Sequence, residues 1–225
     1  MATVTPPIAY LHGFASSPQS RKGVWLREAL AAEGLHVELP DLNVPSFAAL
    51  TASGALTAVD AMDAARRAEN PAAPPWLLVG SSMGGYLAAL WAARNPTRVR
   101  TLVLLCPGFD MARRWAALLG DEAMATWERA GALPFPDAAG QSTPLHWGFV
   151  NDGRALPPKP APPCPTVIVH GRRDEQVPID SSRAMAAEHA QIRLVEVDDD
   201  HGLMASKGDI LAAVHQMLAV YRAAD

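Results

Sequence analysis

Trp76-Leu77-Leu78-Val79-Gly80-Ser81-Ser82-Met83-Gly84-Gly85-Tyr86-Leu87-Ala88-Ala89-Leu90-Trp91 is the stretch that decides the fold. An apolar run enters it, a turn of small residues interrupts it, and a helix-forming run leaves it. A serine at such a strand-to-helix turn, with a glycine two positions to either side, is the G-x-S-x-G pattern of an exposed nucleophile. Only Ser82 fits the register, because Ser81 would have Val79 where a glycine is needed. The glycines follow from sterics. The serine's backbone is strained, strand and helix crowd its neighbours, and a Cβ at Gly80 or Gly84 would collide with one of them.

Outward from this segment, short apolar or β-branched runs recur between helical patterns: Ile8–Leu11, His36–Leu39, Trp76–Val79, Val99–Leu105, Thr166–His170 and Ile192–Val197. Several are apolar on both faces, as expected for parallel strands covered by helices on both sides. Trp25, Leu26, Ala29 and Leu30 form one helical stripe, ended by Gly34; Leu56, Val59, Met62 and Ala65 form another. A last helix over about Ile210–Tyr221 carries Leu211, Val214, Leu218 and Tyr221 on one face. The expected fold is a doubly wound α/β domain, 1–225, with a mostly parallel six-stranded sheet and ligands bound beyond the carboxyl ends of the strands.

One stretch breaks the alternation. About sixty residues between Cys106 and Thr166 show no strand signal and hold Trp115, Trp127 and Trp147. Arg113–Ala130 reads as helical, and Leu156–Pro165 is a proline-dense, extended connector. Residues 110–163 are read as a small helical cap inserted in the domain.

Length and composition bound the function. With 225 residues, 49% of them apolar, the chain suits one domain with a sizeable core and not a disordered segment. A net charge of -4 without a basic block argues against nucleic acid or an anionic membrane surface as partner. The first ten residues lack the features of a signal peptide, and no apolar run approaches the ~20 residues needed to span a bilayer. Cys106 and Cys164 are too few for a disulfide framework, so a cytoplasmic location is expected.

A serine hydroxyl needs a base. Of seven histidines, His201 follows the last strand in Asp198-Asp199-Asp200-His201-Gly202, which places it on the same rim as Ser82. His170 ends a strand, His36 begins one, His189 and His215 fall in helical patterns, and His146 lies in the cap. The base needs a carboxylate to hold it. Asp174, after the strand ending at His170, gives the chain order Ser…Asp…His. Asp198, Asp199 and Asp200 are the competing source and otherwise read as a solvated acidic loop; a metal site there is weak, since consecutive aspartates cannot all aim at one ion. Two backbone N–H groups are needed for a developing oxyanion. Met83, after the nucleophile, and Phe14, in the loop Tyr10-Leu11-His12-Gly13-Phe14-Ala15-Ser16-Ser17-Pro18, are the candidates. His12 reads as a structural loop histidine, and Cys106 as buried packing.

His12-Gly13-Phe14, Gly80–Gly84, His170–Pro178 and Asp200-His201-Gly202 stand in the order of the α/β-hydrolase superfamily, which the chain resembles over nearly its whole length. The loop Tyr10–Pro18, with Ser20 and Lys22, is similar to that of small bacterial esterases of the YqiA type. The resemblance implies a triad of Ser82, Asp174 and His201, a parallel sheet and a small-molecule ester or thioester substrate; no cofactor or metal is expected. Because the His-Gly loop starts by residue 12, the fold should be trimmed, leaving the edge strand and the choice between monomer and homodimer open. Phe109, Trp115, Trp127, Trp147 and Phe149 are candidates for an apolar substrate pocket, with core packing as the alternative. Arg21, Lys22, Arg172 and Arg173 are candidates for an anionic substrate end, with solvated or paired side chains as the commoner alternative. A serine carboxylesterase leads. A thioesterase or amidase on the same residues, or a slow-turnover ligand-binding or signalling protein, are the alternatives.

Overall fold

Alternation along the strands builds two cores. In β1 (Ile8–Leu11), Ile8 and Tyr10 face one core while Ala9 and Leu11 face the other. β3 (Trp76–Ser81) divides Leu77 and Val79 from Trp76 and Leu78 in the same way. β4 (Val99–Leu105) and β7 (Thr166–Gly171) repeat the pattern, so both sheet faces are apolar and both must be covered. The computed structural model describes residues 5–223, and its main sheet has six strands in the order β2-β1-β3-β4-β7-β8, with every pairing parallel. Here β2 is Val37–Glu38 and β8 is Ile192–Val197.

Two helices, α1 (Arg21–Ala31) and α8 (Lys207–Ala223), cover one face, burying Leu26, Leu30, Ile210 and Val214 among others. The other face takes α2 (Ala52–Glu69) and α3 (Met83–Arg94). α2 starts at Thr51, whose side chain accepts the Gly54 amide, and its buried Asp63 accepts the Trp76 indole N–H at 2.9 Å and pairs with Arg98. α7 (Asp180–Glu188) joins β7 to β8. The chain leaves β1 toward the edge strand β2 and returns to β3 on the other side of β1. That reversal makes the β1/β3 carboxyl ends the topological switch point, where open α/β sheets bind ligands.

The inserted stretch is not purely helical, which corrects the sequence expectation. After α4 (Met111–Leu119) and α5 (Asp121–Ala130), which Gly120 separates, β5 (Ala132–Pro136) and β6 (Ser142–His146) form an antiparallel hairpin. α6 (Gly148–Ala155) follows, and an irregular run leads to β7. The stretch is tied to the domain by the His146 amide donating to Ala48 O at 2.8 Å and the Ser53 amide donating to Asp152 at 2.9 Å.

Candidate active site

Ser82 stands at the β3–α3 junction with φ 55° and ψ -118°, a conformation costly for a residue with a Cβ. Its own backbone is held on both sides: its amide donates to Leu105 O at 2.9 Å, and its carbonyl accepts the Gly108 amide at 2.9 Å. The glycines have the steric role read from the sequence. A Cβ on Gly80 would overlap the Gly84 carbonyl, and one on Gly84 would overlap the carbonyls of Leu11 and His12.

Asp174 and His201 come together from the loops after β7 and β8. His201 Nδ1 lies 2.7 Å from Asp174 Oδ2. A carboxylate can only accept, so Nδ1 carries the hydrogen and Nε2 keeps its lone pair. The other Asp174 oxygen, Oδ1, accepts the amides of Gln176 and Val177 at 2.9 and 2.8 Å. Burial alone would raise the Asp174 carboxyl, but hydrogen bonds from His170, His201 and the Val177 amide outweigh it and hold the group well below the usual carboxylate range.

The three aspartates before His201 have three different tasks, and as a set they are not a solvated loop. Asp198 pairs with Arg173, and Asp200 accepts the Gly202 amide at 2.7 Å. Asp199 is buried and accepts the amides of Asp200, Ala205 and Ser206 at 2.8, 2.9 and 2.9 Å, bracing the segment that carries His201. None of the three is bonded to His201.

The loop after β1 passes over the serine: a Cβ on Gly13 would lie 3.3 Å from Ser82 Cβ and 3.9 Å from its Oγ. Phe14 and Met83 both line the cavity that holds Ser82, and among the described residues neither backbone N–H has an acceptor. His12 is buried below this loop, with Nδ1 donating to Gly13 O at 2.9 Å and Nε2 accepting the Leu42 amide at 3.0 Å. Both ring nitrogens are spent on holding the backbone, and burial lowers the imidazole's pKa.

Ser82, His201, Phe14 and Met83 share a cavity of about 440 Å³. Of the five pocket candidates named from sequence, only Trp115 lines it. Phe109, Trp127, Trp147 and Phe149 are buried in the core instead. Trp127 stands edge-on to Trp115 and Trp147, at 6.0 and 5.6 Å between centroids, and its indole N–H donates to Leu145 O at 2.8 Å. Phe14 joins that aromatic cluster to the cavity, 5.0 Å from Trp115 and 5.4 Å from Phe149. Composition marks an aromatic residue as apolar without saying whether it faces a core or a cavity.

Two further side chains stand at the site. Lys22 Nζ donates to Ser81 Oγ at 3.1 Å and lines the cavity, and burial lowers its pKa against the pull of nearby carboxylates. His170, fully buried, lies against Asp174. Donor atoms of Cys106, His170 and Asp174 fall within 4.8 Å of one another, a separation a metal ion would accept. Their chemistry does not fit one. His170 Nε2 must carry a hydrogen to reach Val177 O at 2.8 Å, its Nδ1 is engaged by the Ser182 hydroxyl at 2.8 Å, and burial pushes the Cys106 thiol far up.

Residues 7–219 match the model of the family described as "Uncharacterised protein family (UPF0227)". The chain belongs to this family. Its fold is that of the α/β hydrolases. The alpha/beta hydrolase domain-containing protein 10 from mouse superposes over 100% of this chain and 93% of its own, with a TM-score of 0.74 at 21% identity. Est1E from Butyrivibrio proteoclasticus, in a structure with ferulic acid bound, superposes over 95% of this chain and 90% of its own, with a TM-score of 0.77 at 22% identity. Monoacylglycerol lipase abhd6-B of Xenopus laevis is 31% identical over 106 residues, 45% of this chain. The match spans only 30% of that lipase's length. Among the described residues, no helix is long and apolar enough to cross a membrane.

Proposed function

We propose that this protein is a serine hydrolase that cleaves carboxylic esters through an acyl-enzyme on Ser82. The observation that carries the proposal is the 2.7 Å bond from His201 Nδ1 to Asp174, which leaves Nε2 basic in the cavity that also holds the strained Ser82. In this reading Ser82 Oγ attacks the ester carbonyl carbon as its proton passes to His201 Nε2. The carbonyl oxygen becomes an oxyanion, and the Phe14 and Met83 amides receive it. The intermediate collapses, and the leaving alkoxide takes the proton from His201. Water then attacks the acyl-enzyme and gives its proton to the same nitrogen; as the second intermediate collapses, that proton returns to Ser82 Oγ and the acid is released. Asp174 stays ionised throughout and stabilises the imidazolium. Residues 110–163 form a cap on the single domain, with Met111, Trp115 and Leu118 as its apolar contribution to the pocket. The monoacylglycerol lipase named among the similar proteins supports an ester substrate.

The test is hydrolysis of 4-nitrophenyl butyrate together with labelling by a fluorophosphonate. Ser82→Ala should lower kcat by about 10³-fold or more. The probe should modify Ser82, located by peptide mass spectrometry. Comparable rates in the two proteins, or modification at Ser81 or Ser16, would overturn the assignment.

A further inference from the structure

The wall of the Ser82 cavity is charged in one sense only. Arg21 and Lys22 reach it from the start of α1, and Arg114 reaches it from α4. Among the described residues, no aspartate or glutamate lines it. This is a local excess of positive charge in a chain whose formal net charge is -4.

Ordinary structural roles do not account for these cations. Among the described residues, the side chains of Arg21 and Arg114 make no hydrogen bond, ion pair or ring contact, and Arg114 feels only the more distant charges of Asp174 and Asp110. The neighbour of Arg114 shows the alternative: Arg113, exposed, pairs with Asp110 at 3.4 Å. Lys22 gives its one bond to Ser81, a neutral hydroxyl beside the nucleophile. The carboxylates whose field it feels are Asp174, Asp199 and Asp200, and each of these is committed to the bonds described above. Arg21 and Lys22 also occupy the first turn of α1, which has no acidic residue. Cations at that end oppose the helix dipole, so local stability does not favour them there. The other two cations considered from sequence are spent elsewhere, Arg172 on Glu196 O and Arg173 on Asp198.

We infer that the ester cleaved at Ser82 carries an anionic group, a carboxylate or a phosphate, which Arg21, Lys22 and Arg114 receive while Trp115, Met111 and Leu118 take its apolar part. The inference rests on the esterase reading above and narrows its substrate class. A carboxylate would come from the acyl side, as in the half-ester of a dicarboxylic acid. A phosphate would come from the alcohol side.

Two matched pairs of substrates separate these sources: mono-4-nitrophenyl glutarate against 4-nitrophenyl valerate, and 1-butyrylglycerol 3-phosphate against 1-butyrylglycerol. The charged member of at least one pair should be favoured by about tenfold or more in kcat/KM at low ionic strength. The favoured pair identifies the anion, and the preference should shrink as salt is added. In Arg21→Gln and Arg114→Gln, the charged-to-neutral ratio should fall several-fold. Equal or better turnover of both neutral esters overturns the inference while leaving the esterase reading in place. So does a preference that neither substitution changes. No turnover of any of the four esters overturns both.

Discussion

His170 Nε2 lies 3.3 Å from Asp174 Oδ2, the same oxygen that holds His201 Nδ1 at 2.7 Å. Its hydrogen is shared with Val177 O, and Ser182 fixes the other side of the ring. Two imidazoles thus meet on one carboxylate oxygen, the half-buried one in the cavity and the fully buried one behind it. His170 is therefore a positioning residue in the proposed chemistry, acting through Asp174.

Replacing it should show that. His170→Leu removes one of the hydrogen bonds that hold the Asp174 carboxyl low, so that carboxyl should titrate at higher pH. The expected result is a loss of roughly tenfold in kcat on 4-nitrophenyl butyrate, with the acid limb of the pH–rate profile moved upward. His170→Gln, which keeps a donor, should recover part of both. A purely structural role would lower the amount of folded protein without moving the acid limb.

The acid itself is separable from its acidic neighbours. Asp174→Asn should lower kcat/KM by about 10³- to 10⁴-fold, because the amide does not hold His201 in the proton-accepting tautomer and does not stabilise its cation. Asp200→Asn keeps the acceptor for the Gly202 amide and should stay within about threefold of the parent. Asp199→Asn should fall between them: one of its two acceptor oxygens becomes an NH2 facing backbone donors, which loosens the His201 segment. Steady-state kinetics on the three variants gives the order, and a larger loss at Asp200 than at Asp174 would move the acid to the loop beside His201.

Acid stability follows from the same groups. At Asp199, burial opposes ionisation, but the bonds from Asp200, Ser206 and Ala205 prevail and lower its pKa, as their counterparts do at Asp174. A carboxyl whose native pKa lies below its unfolded value of about 3.9 contributes stability that is fully present above that value and is lost as pH falls through the native one. The contribution of these two groups to Tm should therefore be level from pH ~7 to ~5 and decline below ~4. In Asp199→Asn the protein should start from a lower Tm and lose less of it on acidification, as thermal melts across that range would show.

The sheet and the site were legible to different depths. Parallel strands buried on both faces read as unbroken apolar runs, and motif order along the chain placed Ser82, Asp174 and His201 on one rim. β2 shrinks to Val37–Glu38 because an edge strand needs only one partner. The β5–β6 hairpin was hidden by Pro134, Pro136 and Pro144, which argue against a strand inside a sheet; a two-stranded ribbon leaves each strand an unpaired edge, where proline is tolerated. Lys22 was legible only through the likeness of one loop and as one of four candidate cations, and Arg114 carried no motif at all. That they face the cavity is a consequence of how α1 and α4 pack, which no local pattern encodes.

Glycine substitutions give opposite outcomes at two helix starts. In α3, Gly84 crosses the end of β1 so closely that a Cβ would overlap two backbone carbonyls, neither of which can rotate away as a side chain would. Gly84→Ala should force strand and helix apart, lower Tm by well over the ~4 °C that corresponds to about 1 kcal/mol in a domain of this size, and abolish the proposed esterase activity by displacing Ser82. In α8, Gly208 has nothing within 4 Å of the position a Cβ would take. Gly208→Ala replaces a poor helix former by the best one and should stabilise the protein by about 0.5–1 kcal/mol with kcat unchanged. Paired melts and rates on the two variants test whether the glycine at Gly84 is required by contact with β1, since conformational preference alone would move both proteins in the same direction.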